Sequence, residues 1–174
     1  MVQRIAWSPP KRGWIKLNVD EACKNSGNSG CGGVARNDKG EMIFDFAKWL
    51  RSCNAFMAEL WSLYEGVKLL HSRGILKMEV NVDSTTVLKA IERKCFSMIE
   101  SLSIINRICS LLDNLEEMLI SHSYREANKC ANVLASVGCG IGHDMILFYI
   151  APDCIVRLIQ EDAKGATSTR LVTV

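Results

Sequence analysis

Three carboxylates occupy positions where stability alone gives no reason for a charge. Asp20 closes the run Trp14-Ile15-Lys16-Leu17-Asn18-Val19-Asp20, whose apolar and polar residues alternate with the period of a strand buried on one face. Asp83 follows Met78, Val80 and Val82 in another such run, and both runs end in Asn-Val-Asp, at 18–20 and 81–83. In each the aspartate has the parity opposite to the apolar residue before it. If the two strands are parallel neighbours, both carboxylates emerge at one C-terminal sheet edge, where open α/β sheets bind ligands. The competing role for Asp83 is structural, because Asp83-Ser84-Thr85 is a run of helix-start residues and the aspartate can serve as a cap.

Glu59 is the third. It lies three residues after Phe56 and four before Leu63, which puts it on or beside the buried stripe of a helix. A charge in that place needs a partner. A lysine or arginine is one choice; a cation shared with the two aspartates is the other. A hard divalent ion such as Mg²⁺ takes oxygen ligands and keeps several waters, so convergent carboxylates from different elements suit it.

The elements that would carry these residues follow from periodicity and punctuation. Strands are predicted at 14–20, ending at Asp20, at about 30–37 and at about 41–49, the last two joined by the turn Asn37-Asp38-Lys39-Gly40. Helical spacing over 54–72 sets Phe56, Leu60, Leu63, Val67 and Leu70 on one stripe, with Gly74 as the stop. A fourth strand takes Met78 to Val82, a short helix runs to about Cys95, and a longer helix over 98–115 is apolar on most of its circumference. A fifth strand fits 118–124 and a last helix 126–137, ended by Gly138. The order β-β-β-α-β-α-α-β-α predicts an α/β domain with a five-stranded mixed sheet flanked by helices. Residues 1–12 read as a lead-in whose Trp7 packs back on the body, 13–138 as the domain, and 139–174 as an appendage with 163–174 disordered.

Composition narrows the function classes. A chain of 174 residues with net charge +2 and pI near 8.1 holds one domain and carries no global field of the kind that coats nucleic acid by charge alone. Its eight cysteines stand singly, with no zinc-site spacing, and Cys95, Cys109 and Cys130 fall in predicted helices, as reduced thiols of an intracellular protein, cytoplasmic or nuclear, would. The start lacks the pattern of a secretory signal, and the longest apolar stretches, near 102–112 and 141–151, fall short of a bilayer span.

Five segments, in this order, carry a family likeness: Gly13 to Asp20, Gly30-Cys31-Gly32-Gly33-Val34-Ala35-Arg36, Ala58-Glu59, Val82-Asp83-Ser84, and Arg125-Glu126-Ala127-Asn128-Lys129-Cys130-Ala131-Asn132-Val133-Leu134-Ala135. Together they resemble the type 1 ribonuclease H-like domains common in plant genomes and related to retrotransposon reverse-transcriptase polyproteins. The resemblance covers about 13–138, and the tail with Gln160-Glu161-Asp162-Ala163-Lys164-Gly165 is similar to the segment C-terminal to the domain in such proteins. It implies a ribonuclease H-like fold and four acidic residues coordinating two Mg²⁺ or Mn²⁺ ions about 4 Å apart, which hydrolyse RNA paired to DNA. RNA is then told from DNA by its 2′-hydroxyls.

Carried over by position, the resemblance makes Asp20, Glu59 and Asp83 the first three catalytic, metal-binding acids. The fourth place holds Asn132, whose amide oxygen can coordinate a cation or its water without bringing charge. The glycine that the family places after its first aspartate is Glu21, whose bulk and charge obstruct a phosphodiester. His122, ten residues before Asn132, resembles the family's proton-shuttling loop histidine, although it falls in a predicted strand with no glycine-bearing loop around it and reads more readily as an ordinary strand residue. No basic helical insertion is evident, since 84–95 offers only Lys89, Arg93 and Lys94, so grip on nucleic acid falls to Lys24, Arg36, Lys39, Arg125 and Lys129, if these are more than solvated charges. Asp20, Glu59 and Asp83 favour a nuclease. Asn132 and Glu21 favour a nucleic-acid-binding or scaffold module of the same fold that has lost hydrolysis. A third reading leaves nucleic acid out: an α/β domain whose three acids are separately capped or salt-bridged.

Overall fold

A computed structural model of the chain describes residues 1–93 and 99–172. In chain order the described elements are β1 (Val2–Ile5), β2 (Ile15–Cys23), β3 (Ser29–Arg36), β4 (Met42–Arg51), α1 (Ala55–His71), β5 (Lys77–Val82), α2 (Thr85–Arg93), α3 (Ile99–Leu112), β6 (Glu117–His122), α4 (Lys129–Gly140), β7 (Met145–Phe148), α5 (Asp153–Ala163) and β8 (Ser168–Leu171). A 3-10 turn at Arg125–Ala127 leads into α4. The predicted order β-β-β-α-β-α-α-β-α is the stretch from β2 to α4. The predicted end of the short helix at Cys95 lies outside the described residues.

The main sheet runs β6-β5-β2-β3-β4-β7, with β2, β3, β4 and β7 antiparallel in turn and β2, β5 and β6 parallel. It has six strands where five were expected. The sixth, β7, is a four-residue strand of the appendage that covers the open edge of β4. The expected turn at 37–40 closes the β3–β4 hairpin: Asn37 Oδ1 accepts from the amides of Lys39 and Glu41, and Gly40 takes a φ of +78°.

Helices α1, α2 and α3 pack on one face of the sheet. Leu17, Val19, Phe46, Val80 and Val82 meet Leu60, Leu63 and Val67 of α1 and Ile104, Ile105 and Ile108 of α3 there. Each such side chain, buried fully, contributes roughly 1.5–3 kcal/mol. The helix expected to be apolar around most of its circumference is amphipathic instead: α3 buries Ile105 and Ile108 but leaves Ile99 89% exposed. Helix α4 lies on the opposite face, with α5 against it around Val34, Cys130, Leu134 and Ile155.

Glycines set how near α4 comes. A Cβ on Gly32 would stand 2.5 Å from the backbone nitrogen of Ala135, and one on Gly138 would stand 2.5 Å from the carbonyl oxygen of Lys48. The helix backbone therefore rests directly on β3 and β4, and no residue with a side chain fits at either place.

Described residues from both ends of the sequence take part in the fold. Trp7 is buried; its Nε1 donates to Asn18 Oδ1 at 3.0 Å, and the Arg36 guanidinium lies 3.9 Å from its ring centroid. The segment expected to be disordered, 163–174, instead contains β8, which pairs antiparallel with β1 over Val2↔Leu171 to Ile5↔Ser168. Two ends that read separately as loose become a ribbon by pairing with each other, a long-range contact that a local pattern does not report. No helix among the described residues is long and apolar enough to cross a membrane. Cys109 is buried in α3 and Cys130 in α4, while Cys23 and Cys154 are exposed.

Candidate metal centre

The two Asn-Val-Asp tripeptides stand side by side. Parallel pairing of β2 with β5 matches Asn18 to Asn81, so two residues further along each strand Asp20 stands beside Asp83. The strand carrying Asp20 does not end there, contrary to the expectation from its alternation: β2 continues to Cys23, with Asp20 opposite Gly32 of β3. What ends near Asp20 is the pairing with β5, and there the sheet opens.

Asp83 is not a cap. The hydroxyl of Ser84 accepts from the amide of Val87 at 3.2 Å and takes that role at the start of α2. Asp83 keeps an ion pair with Arg125, Nε to Oδ2 3.7 Å, whose side chain is 67% exposed.

Glu59 is delivered by α1, whose start is fixed by Asn54 Oδ1 accepting from the amide of Met57 at 2.9 Å. The glutamate is 1% exposed, and neither carboxylate oxygen has a hydrogen-bond partner among the described residues. One ligand oxygen from each of Asp20, Glu59 and Asp83 lies within 4.8 Å of the other two. Among the described residues no lysine or arginine forms an ion pair with Asp20 or Glu59.

Burial, then the charge of Asp83, pushes Asp20 up to about 7, against the opposing hydrogen bonds from Asn132 and the Glu21 amide. Burial drives Glu59 well above the usual carboxylate range, with Asp83, Asp20 and Glu21 adding to it. The Asp83 amide opposes that shift weakly from outside hydrogen-bond geometry. Burial also raises Glu21, which lines an opening of about 180 Å³ together with Glu59 and Asp83. Desolvated like charges with orphaned oxygens are unfavourable by themselves. A hard divalent cation supplies the missing partner through ligands of the type these residues offer, so the donor set fits one.

Asn132 reaches the same place from α4. Its Nδ2 donates to Asp20 Oδ2 at 3.0 Å, an approach that the close seat of α4 on Gly32 permits. Asn128, buried at the start of α4, does not cap the helix but donates from Nδ2 to the carbonyl of Val19 at 2.8 Å, tying α4 to the residue before Asp20. Sequence reasoning gave Asn128 no role of its own, although an asparagine at a predicted helix start was a signal.

The remaining candidates separate into a rim and a core. His122 ends β6 opposite Val82 and, with Tyr124, Arg125 and Lys129, lines a cleft of about 490 Å³ that shares Asp83 with the carboxylate cluster. Lys24 and Lys39 are exposed in turns. Arg36 does not belong with them. It is 1% exposed, donates to Asp162 Oδ2 at 2.7 Å and to Asn18 Oδ1 at 3.2 Å, and is shielded by Trp7, so no polyanion reaches it. Its side chain faces the sheet's α4 side, where α5 brings the counter-charge, Asp162, that the sequence did not place.

The model of the family described as reverse transcriptase-like matches residues 18–138. The Arabidopsis thaliana protein named "Putative ribonuclease H protein At1g65750" is 32% identical over 170 residues, 97% of this chain, which spans 27% of that protein's length. Among solved structures, RNase H1 from the halophilic archaeon Halobacterium salinarum superposes with a TM-score of 0.67 at 21% identity, covering 72% of this chain and 97% of that one. LC11-RNase H1 in complex with RNA/DNA hybrid gives 0.66 at 17% identity, covering 72% of this chain and 96% of that one. The fold, the order of its elements and the matched stretch agree: this chain belongs to the reverse transcriptase-like family and has the ribonuclease H-like fold.

Proposed function

We propose that this domain binds nucleic acid and hydrolyses the RNA strand of an RNA–DNA hybrid, with Mg²⁺ or Mn²⁺ held by Asp20, Glu59 and Asp83. The observation that carries this reading is Glu59, a buried glutamate whose two oxygens have no hydrogen-bond partner among the described residues, beside two aspartates. A bound divalent ion supplies Lewis acidity and a water acidic enough to attack a phosphodiester. Asp20 and Asp83 present oxygens from adjacent strand ends, and Glu59 closes the set from the far side. Asn132 orients Asp20 through its amide. His122, at the rim, is within the cleft where a proton must leave or arrive, and Lys24, Arg125 and Lys129 offer cations to the substrate backbone.

A second reading is favoured by two observations. Asn132 turns an N–H toward Asp20 Oδ2 and so occupies an acceptor that a cation would use. Glu21 adds a carboxylate at the opening where a phosphate must enter. On this reading the domain binds nucleic acid, or serves as a scaffold, without cutting.

Cleavage of a labelled RNA–DNA hybrid with Mg²⁺ and with Mn²⁺ separates the two. The nuclease reading expects activity that Asp20→Asn abolishes and that Asn132→Asp and Glu21→Gly each raise. An inert parent that still binds hybrid, with activity restored by neither change nor both, supports the binding module.

A further inference from the structure

We propose that the C-terminal strand β8 completes a phosphate-binding wall beside the metal centre, with Arg170 as its principal donor and a nucleic-acid phosphodiester as its ligand. This rests on the nucleic-acid reading above and adds to it a residue outside the segment that the family model matches, 18–138.

Strand geometry puts Ser168 and Arg170 on one face of β8, since residues two apart share a side. Both are engaged at the same cleft. Ser168 Oγ accepts from Lys129 Nζ at 2.6 Å and so aims that ammonium, while Arg170 lies 4.6 Å from the Tyr124 ring centroid and donates from Nη1 to both Glu126 oxygens, at 3.1 and 3.3 Å. The Tyr124 ring also meets His122 edge-on, at 5.1 Å between centroids. The stack fixes the guanidinium, and a guanidinium has five N–H donors, so pairing with Glu126 leaves capacity for a second acceptor.

The cleft of about 490 Å³ carries three cations, Arg125, Lys129 and Arg170, against two carboxylates, Asp83 and Glu126. Asp83 is the one belonging to the metal cluster, so a bound ion turns the balance further positive. A strand whose reacting phosphate sits at Asp20, Glu59 and Asp83 passes its neighbouring phosphate into this cleft. The charge is complementary, the two places share a residue, and pre-ordered cations lose little entropy on binding. Strand β8 holds its position by pairing with β1, Gln3 opposite Arg170, so both chain ends build the wall.

The test is hybrid binding by fluorescence anisotropy, with Ca²⁺ in place of Mg²⁺ to suppress cutting, from 50 to 200 mM salt, on the parent, Arg170→Gln, Arg170→Lys and Arg157→Gln. Arg157 is exposed on α5 and pairs with Glu161. Loss of one phosphate contact lowers the slope of log K against log salt by about 0.9, so across this range the parent loses about three- to fourfold more affinity than Arg170→Gln. Arg170→Lys and Arg157→Gln are expected to keep the parental slope. An unchanged slope for Arg170→Gln overturns the wall and leaves hybrid binding intact. Equal loss in Arg170→Gln and Arg170→Lys overturns it too, since the ribbon's fold and not the charge would then matter. A parent that binds no hybrid at all overturns both this proposal and the reading beneath it, and it does so in the parental arm alone.

Discussion

Replacing Asp20 with asparagine is expected to make the metal-free protein more stable at alkaline pH. The carboxylate is fully buried, and its proton is held up to about 7 from an ordinary 3.8. Between those values the native state binds a proton that the unfolded state has lost, so this group's contribution to stability is greatest below about pH 4 and declines as pH rises toward 7. A difference of roughly three units at about 1.4 kcal/mol each puts the full cost near 4 kcal/mol above pH 7. Asparagine removes the titration and keeps the hydrogen bonds: its oxygen can accept from the Glu21 amide, and Asn132 can turn its own oxygen toward the new amide. Urea unfolding in EDTA is expected to show the variant about 2–4 kcal/mol more stable than the parent at pH 8, and less than half that at pH 5. Saturating Mg²⁺ is expected to stabilise the parent and leave the variant unchanged. A variant no more stable than the parent at pH 8, or one that gains equally from Mg²⁺, would refute the reasoning.

Two further substitutions test how the site is positioned. Arg36→Ala removes a buried guanidinium and strips the partner from the partly buried Asp162, and is expected to cost about 3 kcal/mol in urea unfolding, with no change in the salt dependence of hybrid binding. A parental stability would contradict the buried ion pair, and a shallower salt slope would return Arg36 to the surface. Gly32→Ala forces α4 away from β3 and is expected to lose about 1–3 kcal/mol and to lengthen the 3.0 Å contact of Asn132 with Asp20, read as a shifted Asn132 side-chain amide resonance.

The site was legible where chemistry left a local mark. Asp20 and Asp83 share a tripeptide, and once their strands are parallel neighbours the register sets them side by side, so pattern alone brought them together. Glu59 stood out because a charge on an apolar stripe is unexpected. Ser84 against Asp83 as cap was not decidable, since both residue types suit the place and only the Val87 amide shows which is used. Arg36 was misplaced because a strand-end arginine looks like a surface charge, and its partners Trp7 and Asp162 lie 29 and 126 residues away in sequence. The same distance hid the β1–β8 ribbon: neither four-residue strand has an apolar alternation strong enough to declare itself without the other. Strand β7 escaped for a related reason, its run Met145-Ile146-Leu147-Phe148 being continuous rather than alternating and too short to tell from a helical piece.

The most direct measurement is calorimetric titration of Mn²⁺ into the parent and into Glu59→Gln, at pH 8 and without nucleic acid. Convergence of Asp20, Glu59 and Asp83 on a shared cation is expected to give saturable binding in the parent that weakens at least tenfold, about 1.4 kcal/mol, when the unpartnered glutamate is made neutral. Absence of binding at millimolar Mn²⁺, or equal affinity in the two proteins, would contradict it.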